Sequence, residues 1–92
     1  MKKETWIESD SCAVCGRYGT ETHHIFYGTS NRKNSDQYGY TIPLCREHHT
    51  GPGGIHFNKE MDLYWKREAQ KHFEGKYGTR EDFMKIFGRS WL

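Results

Sequence analysis

The sequence predicts a small α+β domain in which metal-binding residues supplement a thin hydrophobic core. Three observations lead there. The chain has 92 residues, of which 34% are hydrophobic; this is the length of one domain, 1–92, with little apolar material to bury. Cysteines and histidines gather between residues 12 and 56, with only His72 outside. Beyond them, apolar residues recur at helical spacing. A domain this lean commonly needs a disulfide or a metal as a staple, and three cysteines cannot pair off completely. We therefore divide the chain into a metal-stapled core, 12–58, and a helical tail, 59–92.

The elements follow in order. "CAVCG" (12–16) reads as a tight knuckle, with Gly16 free to take positive φ. "TETHHIFYG" (20–28) reads as a short strand carrying Thr22, Ile25 and Phe26. "TSNRKNSDQYG" (29–39) is polar and rich in turn formers, which predicts an exposed loop. "YTIPLC" (40–45) is a second short strand, confined by Pro43 to an edge or an end. "REHHT" starts a helix that "GPGG" (51–54) must stop. The tail resumes at Asn58, an N-cap with Glu60 and Asp62 in the first turn. Met61, Trp65, Ala69, His72 and Phe73 share one helical face, and Gly75 is expected to end the helix. Thr79 with Asp82 heads a second helix, Phe83, Ile86 and Phe87 form its inner face, and Gly88 caps it. Trp65, Phe73, Phe83 and Phe87 read as core packing, and His72 as a half-buried helix histidine.

"MKKETWIESDSC" shows basic residues with no apolar run behind them, and no stretch approaches a membrane span. The expectation is a cytoplasmic protein without membrane partners, in which cysteines near histidines bind metal rather than form disulfides. A net charge of +2 gives only a faint indication of a polyanionic partner.

Cys12 and Cys15 are spaced C-x2-C; Cys45 and His48 are spaced C-x2-H. Together they compose a Cys3His set, a standard structural zinc composition with no open position. A redox pair would sit beside a βαβ pattern, which is absent. If Cys45 enters a helix, His48 shares its face and His49 is rotated by about 100°. His49 then belongs to a different site. His23 and His24 are neighbours on a strand and point to opposite sides, so one can bind a metal while the other stays free to move a proton. His56 returns after the Gly-Pro turn. A set of His23, His49 and His56 would leave open positions, as a catalytic metal requires.

The pattern C-x2-C … HHI … IPLC-x2-HH over residues 12–58 resembles the HNH endonuclease family, with its ββα-metal (His-Me finger, treble-clef-like) core. "IPLCREHHTGPGGIH" is especially similar to the phage recombination-enhancement (Ref-type) branch and related small phage HNH proteins, and "KYGTREDF" is similar to a common C-terminal helix of that group. The resemblance implies a zinc knuckle of Cys12, Cys15, Cys45 and His48. It implies His23 and His49 as ligands of a catalytic divalent metal (Zn, Mn, Ni or Mg), with His56 matching a downstream histidine, and His24 as the general base. Relatives place an Asn shortly before the "PLC" segment; here Tyr40 stands near that place, with Asn31, Asn34 and Asp36 earlier. The implied activity is hydrolysis of DNA phosphodiesters, linked to phage recombination or DNA processing, with a recombinase or phage DNA-processing protein as partner. Arg17, Arg32, Lys33 and Arg46 are candidate phosphate contacts. The competing reading is a non-catalytic treble-clef zinc module that binds nucleic acid or a protein; a third is a domain with two structural zincs. The former leaves the surplus histidines without chemistry; the latter would stiffen a small domain without any reaction.

Overall fold

The structure, a computed structural model, describes residues 5–92; residues 1–4, the start of the stretch read for a leader, lie outside them. Two strands make its sheet: β1, Thr20–His24, and β2, Thr41–Cys45. They pair antiparallel, with Thr20 opposite Cys45 and His24 opposite Thr41. Ile42 and Leu44 alternate inward along β2 and are fully buried, as a half-buried strand requires. Pro43 is tolerated because a two-stranded sheet has only edges, and its carbonyl accepts the Ala13 amide at 2.8 Å. That bond docks the 12–16 knuckle on the sheet.

The segment between the strands differs from expectation. Residues Thr29–Tyr38 form a ten-residue helix, α1, rather than an exposed loop. It begins after Gly28 (φ 99°) and ends at Gly39 in the left-handed conformation (φ 75°), which glycine adopts without a Cβ penalty. Its inner stripe is Asn31, Asn34, Ser35 and Tyr38, at i, i+3, i+4 and i+7. The polar members of that stripe are hydrogen-bonded, which is why composition alone misread it. Asn31 and Asn34 donate to the carbonyls of Phe87 and Ile86 at 3.0 and 2.9 Å. The buried Ser35 hydroxyl donates to the Phe26 carbonyl and accepts the Phe26 amide.

A single turn, α2, Arg46–His49, follows β2 directly. The chain then reverses through residues 50–54 into a 3-10 turn, Ile55–Phe57. Asn58 caps the long helix α3, Lys59–Lys76, its side chain accepting the Met61 amide. Gly75 does not end α3, since the helix runs one residue past it. Helix α4, Arg80–Phe87, carries the full capping box of Thr79 and Asp82 and closes on Gly88 in the left-handed conformation (φ 92°). Ala69 and Phe73 are buried and His72 half-buried, as expected, whereas Met61 and Trp65 are only half-buried against the core. The deepest stripe of α3 also takes in Asp62, Lys66 and Gln70. Asp62 and Lys66 pair at 2.8 Å. Gln70 bonds Glu74, Ser90 and the Trp91 amide, so its buried amide is satisfied.

The core lies between the sheet and α3–α4, where Phe26 packs on Phe83 and Phe87 at ring distances of 5.4 and 4.5 Å. Tyr40 is fully buried there, edge-on to Phe26 and Trp6. Among the described residues, no helix is long and apolar enough to cross a membrane.

The α1–α4 seam depends on two asparagine side chains reaching helix-end carbonyls. Asn34→Ala is expected to cost about 1–2 kcal/mol by removing a partly buried hydrogen bond, measured as a lowered urea midpoint with the slope unchanged.

Candidate functional site

Two clusters of metal-binding side chains sit on either side of α2. In the first, Cys12, Cys15, Cys45 and His48 bring four ligand atoms within 4.8 Å of one another, an arrangement that could hold a metal ion. Local hydrogen bonds build the knuckle: the Gly16 amide donates to the Cys12 carbonyl and the Cys12 amide to the Arg17 carbonyl, each at 2.8 Å. Gly16 takes φ 78°. Cys15 and Cys45 have their sulfurs 3.7 Å apart. This is far beyond the ~2.05 Å of a disulfide and close to the ~3.8 Å edge of a tetrahedron with ~2.3 Å metal–sulfur bonds. His48 Nδ1 lies 3.2 Å from Cys45 Sγ and 3.9 Å from Cys12 Sγ. Burial acts to raise the Cys12 thiol, but the backbone groups of Cys45, Cys15 and Val14 outweigh it and bring it from 9.0 down to about 6. A thiol so placed readily supplies the thiolate that a metal needs.

The second cluster is His23, His49 and His56, whose ligand atoms also lie within 4.8 Å of one another. Their rings stand 5.0–5.3 Å apart. His23 comes from β1, His49 from the end of α2 and His56 from the 3-10 turn. His49 Nδ1 is 2.9 Å from Glu21 Oε1. A carboxylate can only accept, so Nδ1 carries the proton and Nε2 keeps its lone pair. Carboxylate support of this kind orients metal-binding histidines. His23 is 2% exposed, and its Nε2 is buried with no hydrogen-bond partner. Burial, then the charges of His49 and His56, lowers its pKa to about 3. It is therefore neutral throughout the physiological range, and an orphaned buried nitrogen beside two more imidazoles fits a metal ion.

His24 departs from the cluster. Its Nε2 meets Asp36 Oδ1 at 2.9 Å, so by the same argument Nε2–H donates and Nδ1 is the free base. His23, His24, His49 and His56 nonetheless line one cleft of about 210 Å³, together with Thr22, Tyr27 and Arg32.

The remaining expectations separate. Tyr40 is not brought to the cleft: its hydroxyl is 3.0 Å from His72 Nδ1 in the core, and burial pushes its pKa up. Asn31 and Asn34 are engaged with α4. Asp36 is the member of the 29–40 segment that reaches the proposed base. Of the candidate phosphate contacts, Arg32 lines the cleft, Arg17 pairs with Glu47 at 3.6 Å, and Lys33 and Arg46 are exposed elsewhere. His72 is half-buried, lowered by burial and by Lys76, and belongs to neither cluster. Sequence reasoning missed Glu21, although it stands two residues before His23 and so shares its strand face. It also missed Tyr27, which nothing in the sequence marks, and the Asp62–Lys66 pair beneath it, although their i,i+4 spacing on a helix is that of an ion pair.

The reversal at 50–54 sets His56 beside His49. A Cβ on Gly54 would lie 2.7 Å from the His49 carbonyl oxygen, and one on Gly51 2.8 Å from the Glu47 backbone. Both positions exclude a side chain.

The family described as "Protein of unknown function (DUF968)" matches residues 2–90. The chain is similar to "Uncharacterized protein YdfU" of Escherichia coli (strain K12), 28% identical over 80 residues; these are 86% of this chain and 19% of that protein. The chain thus spans about a fifth of the length of the curated relative it matches. No solved structure matches it.

Three substitutions separate the clusters. Cys15→Ser is expected to lose the first metal and leave a largely unfolded chain, since structural metal sites contribute on the order of 10 kcal/mol; a dispersed amide spectrum would contradict this. His49→Ala should retain one tightly held metal per chain and the native spectrum while losing a second, exchangeable one, as read by metal analysis after mild chelation. Gly54→Ala should weaken the second metal at least tenfold and spare the first, as read by metal titration.

Proposed function

The chain belongs to the DUF968 family, whose description assigns no function; from the geometry of its histidine cleft, together with the resemblance of its sequence motifs, we propose that it is a metal-dependent DNA endonuclease of the HNH type. One observation carries the reading. A buried, unpartnered His23 Nε2 faces His49 and His56, and a carboxylate-held His24 opens on the same cleft. A structural role for the second cluster gives His24 and Asp36 nothing to do. The order β1, α1, β2, α2, with candidate ligands on β1 and α2, is consistent with a ββα-metal core that carries an inserted helix between its strands. The thiolate-rich first cluster suits structural zinc.

Each residue then has a task. His23, His49 and His56 would hold a divalent ion, with Zn or Ni suited to imidazole and the oxygen-preferring Mn and Mg further candidates. When bound, that ion supplies charge neutralisation at the scissile phosphate and the leaving oxygen. Glu21 keeps the His49 proton on Nδ1. His24 Nδ1 takes the proton from the attacking water, and Asp36 holds the imidazole in that tautomer and stabilises the positive charge it gains. Arg32, at the mouth of the cleft, contacts a backbone phosphate. A phage or prophage setting and a recombinase or DNA-processing partner complete the proposal and rest on the resemblance.

The test is nicking of supercoiled plasmid with Mg, Mn, Zn and Ni in turn. His24→Ala should keep both metals and DNA affinity, which comes mainly from phosphate contacts, while cleavage falls by roughly two to four orders of magnitude. Asp36→Asn should fall less. A His24→Ala protein that cuts at the wild-type rate removes His24 from the mechanism; one that loses the second metal makes it a ligand.

A further inference from the structure

Tyr27 sits where three grooves meet. It lines the histidine cleft, a groove of about 310 Å³ running to the start of α1 and Lys85, and one of about 350 Å³ bounded by Phe57, Lys59 and Asp62. The residue is 46% exposed, yet its ring is held in place. Lys66 Nζ lies 4.1 Å from the ring centroid, itself fixed at 2.8 Å to Asp62. The His56 and His23 rings stand 5.8 and 6.2 Å away. A buried ion pair thus braces an aromatic ring that remains half open to solvent next to the proposed reacting centre. Phe57, 72% exposed, projects into the same groove. Lys59 and Arg32 have no carboxylate partner among the described residues, and Lys85 has only a distant one, Glu81 at 3.9 Å.

Rigid exposed aromatics interleaved with free cations are the elements of a single-strand track: cations follow the phosphates while bases stack on the rings. In an intact duplex the base faces are already stacked on each other and present no face to Tyr27. We propose that Tyr27 and Phe57 stack the unpaired bases flanking the cleaved phosphate, so that the substrate is single-stranded DNA or an unpaired segment of a longer DNA. This rests on the nuclease reading for its position but not for its test, which measures binding.

Anisotropy of a short labelled single strand and of its duplex would be measured in a His24→Ala background, with Tyr27→Leu, Tyr27→Phe and Phe57→Ala added singly. The single strand should bind at least tenfold more tightly than the duplex. Tyr27→Leu should lose about tenfold on the single strand and little on the duplex, and Tyr27→Phe should restore it. Phe57→Ala, at a position too exposed to affect folding, should show the same selective loss. Equal affinity for the two DNA forms, or single-strand affinity unchanged in both Tyr27→Leu and Phe57→Ala, overturns the proposal. Failure of the wild-type protein to cut any DNA would instead remove the nuclease reading and leave a single-strand binding surface.

Discussion

One helical turn carries a ligand of each cluster, and the rest of the site depends on it. Cys45 and His48 face the sulfurs of the knuckle, and His49, the next residue, faces the other histidines. A four-residue helix has no stability of its own. It is fixed at its start by β2 and the sulfur cluster, and at its end by the close return of Gly51 and Gly54. Anything that loosens the first cluster therefore turns His49 away from His23. The two centres are mechanically one object, although their chemistry differs.

The second dependence runs through β1. Its register against β2 places Thr20 beside Cys45 and His23 beside Ile42. Alternation then directs Glu21 and His23 toward α2. A one-residue slip would exchange His23 for His24 and point the carboxylate support away from His49. Burial of Ile42 and Leu44, which stand opposite His23 and Glu21 on the same face, makes that slip costly, so the apolar residues of β2 also secure the polar ones of β1.

The sequence was most legible where residue type and spacing agree. The two C-x2 pairs, the Asn58 and Thr79 caps and the Gly88 stop each follow from local chemistry, and the structure has them all. The α1 helix was missed because its inward stripe is Asn31, Asn34 and Ser35, residues that satisfy backbone groups rather than bury hydrocarbon. Hydropathy cannot tell such a stripe from a loop, although its spacing was helical. The same applies to Asp62, Lys66 and Gln70 on α3, where pairing makes a polar face acceptable inside. Tyr40 stands near the place of the relatives' Asn along the chain, but position along the chain says nothing of direction: its ring turns into the core. Asp36, one of the alternatives to Tyr40, reaches His24 only because α1 exists, so without the helix nothing distinguishes it from Asn31 and Asn34.

The four residues Gly51–Gly54 are not equivalent. A side chain at Gly51 or Gly54 meets backbone that cannot give way, whereas Gly53 has nothing within 4 Å of its Cβ position and Pro52 is exposed. The reversal is thus rigid on its inner side and open to change on its outer one. Such a domain can acquire new surface chemistry on the turn between His49 and His56, through two replaceable positions, without disturbing the histidines that the turn connects. Divergence in what the domain recognises is in this way uncoupled from divergence in what its centre does.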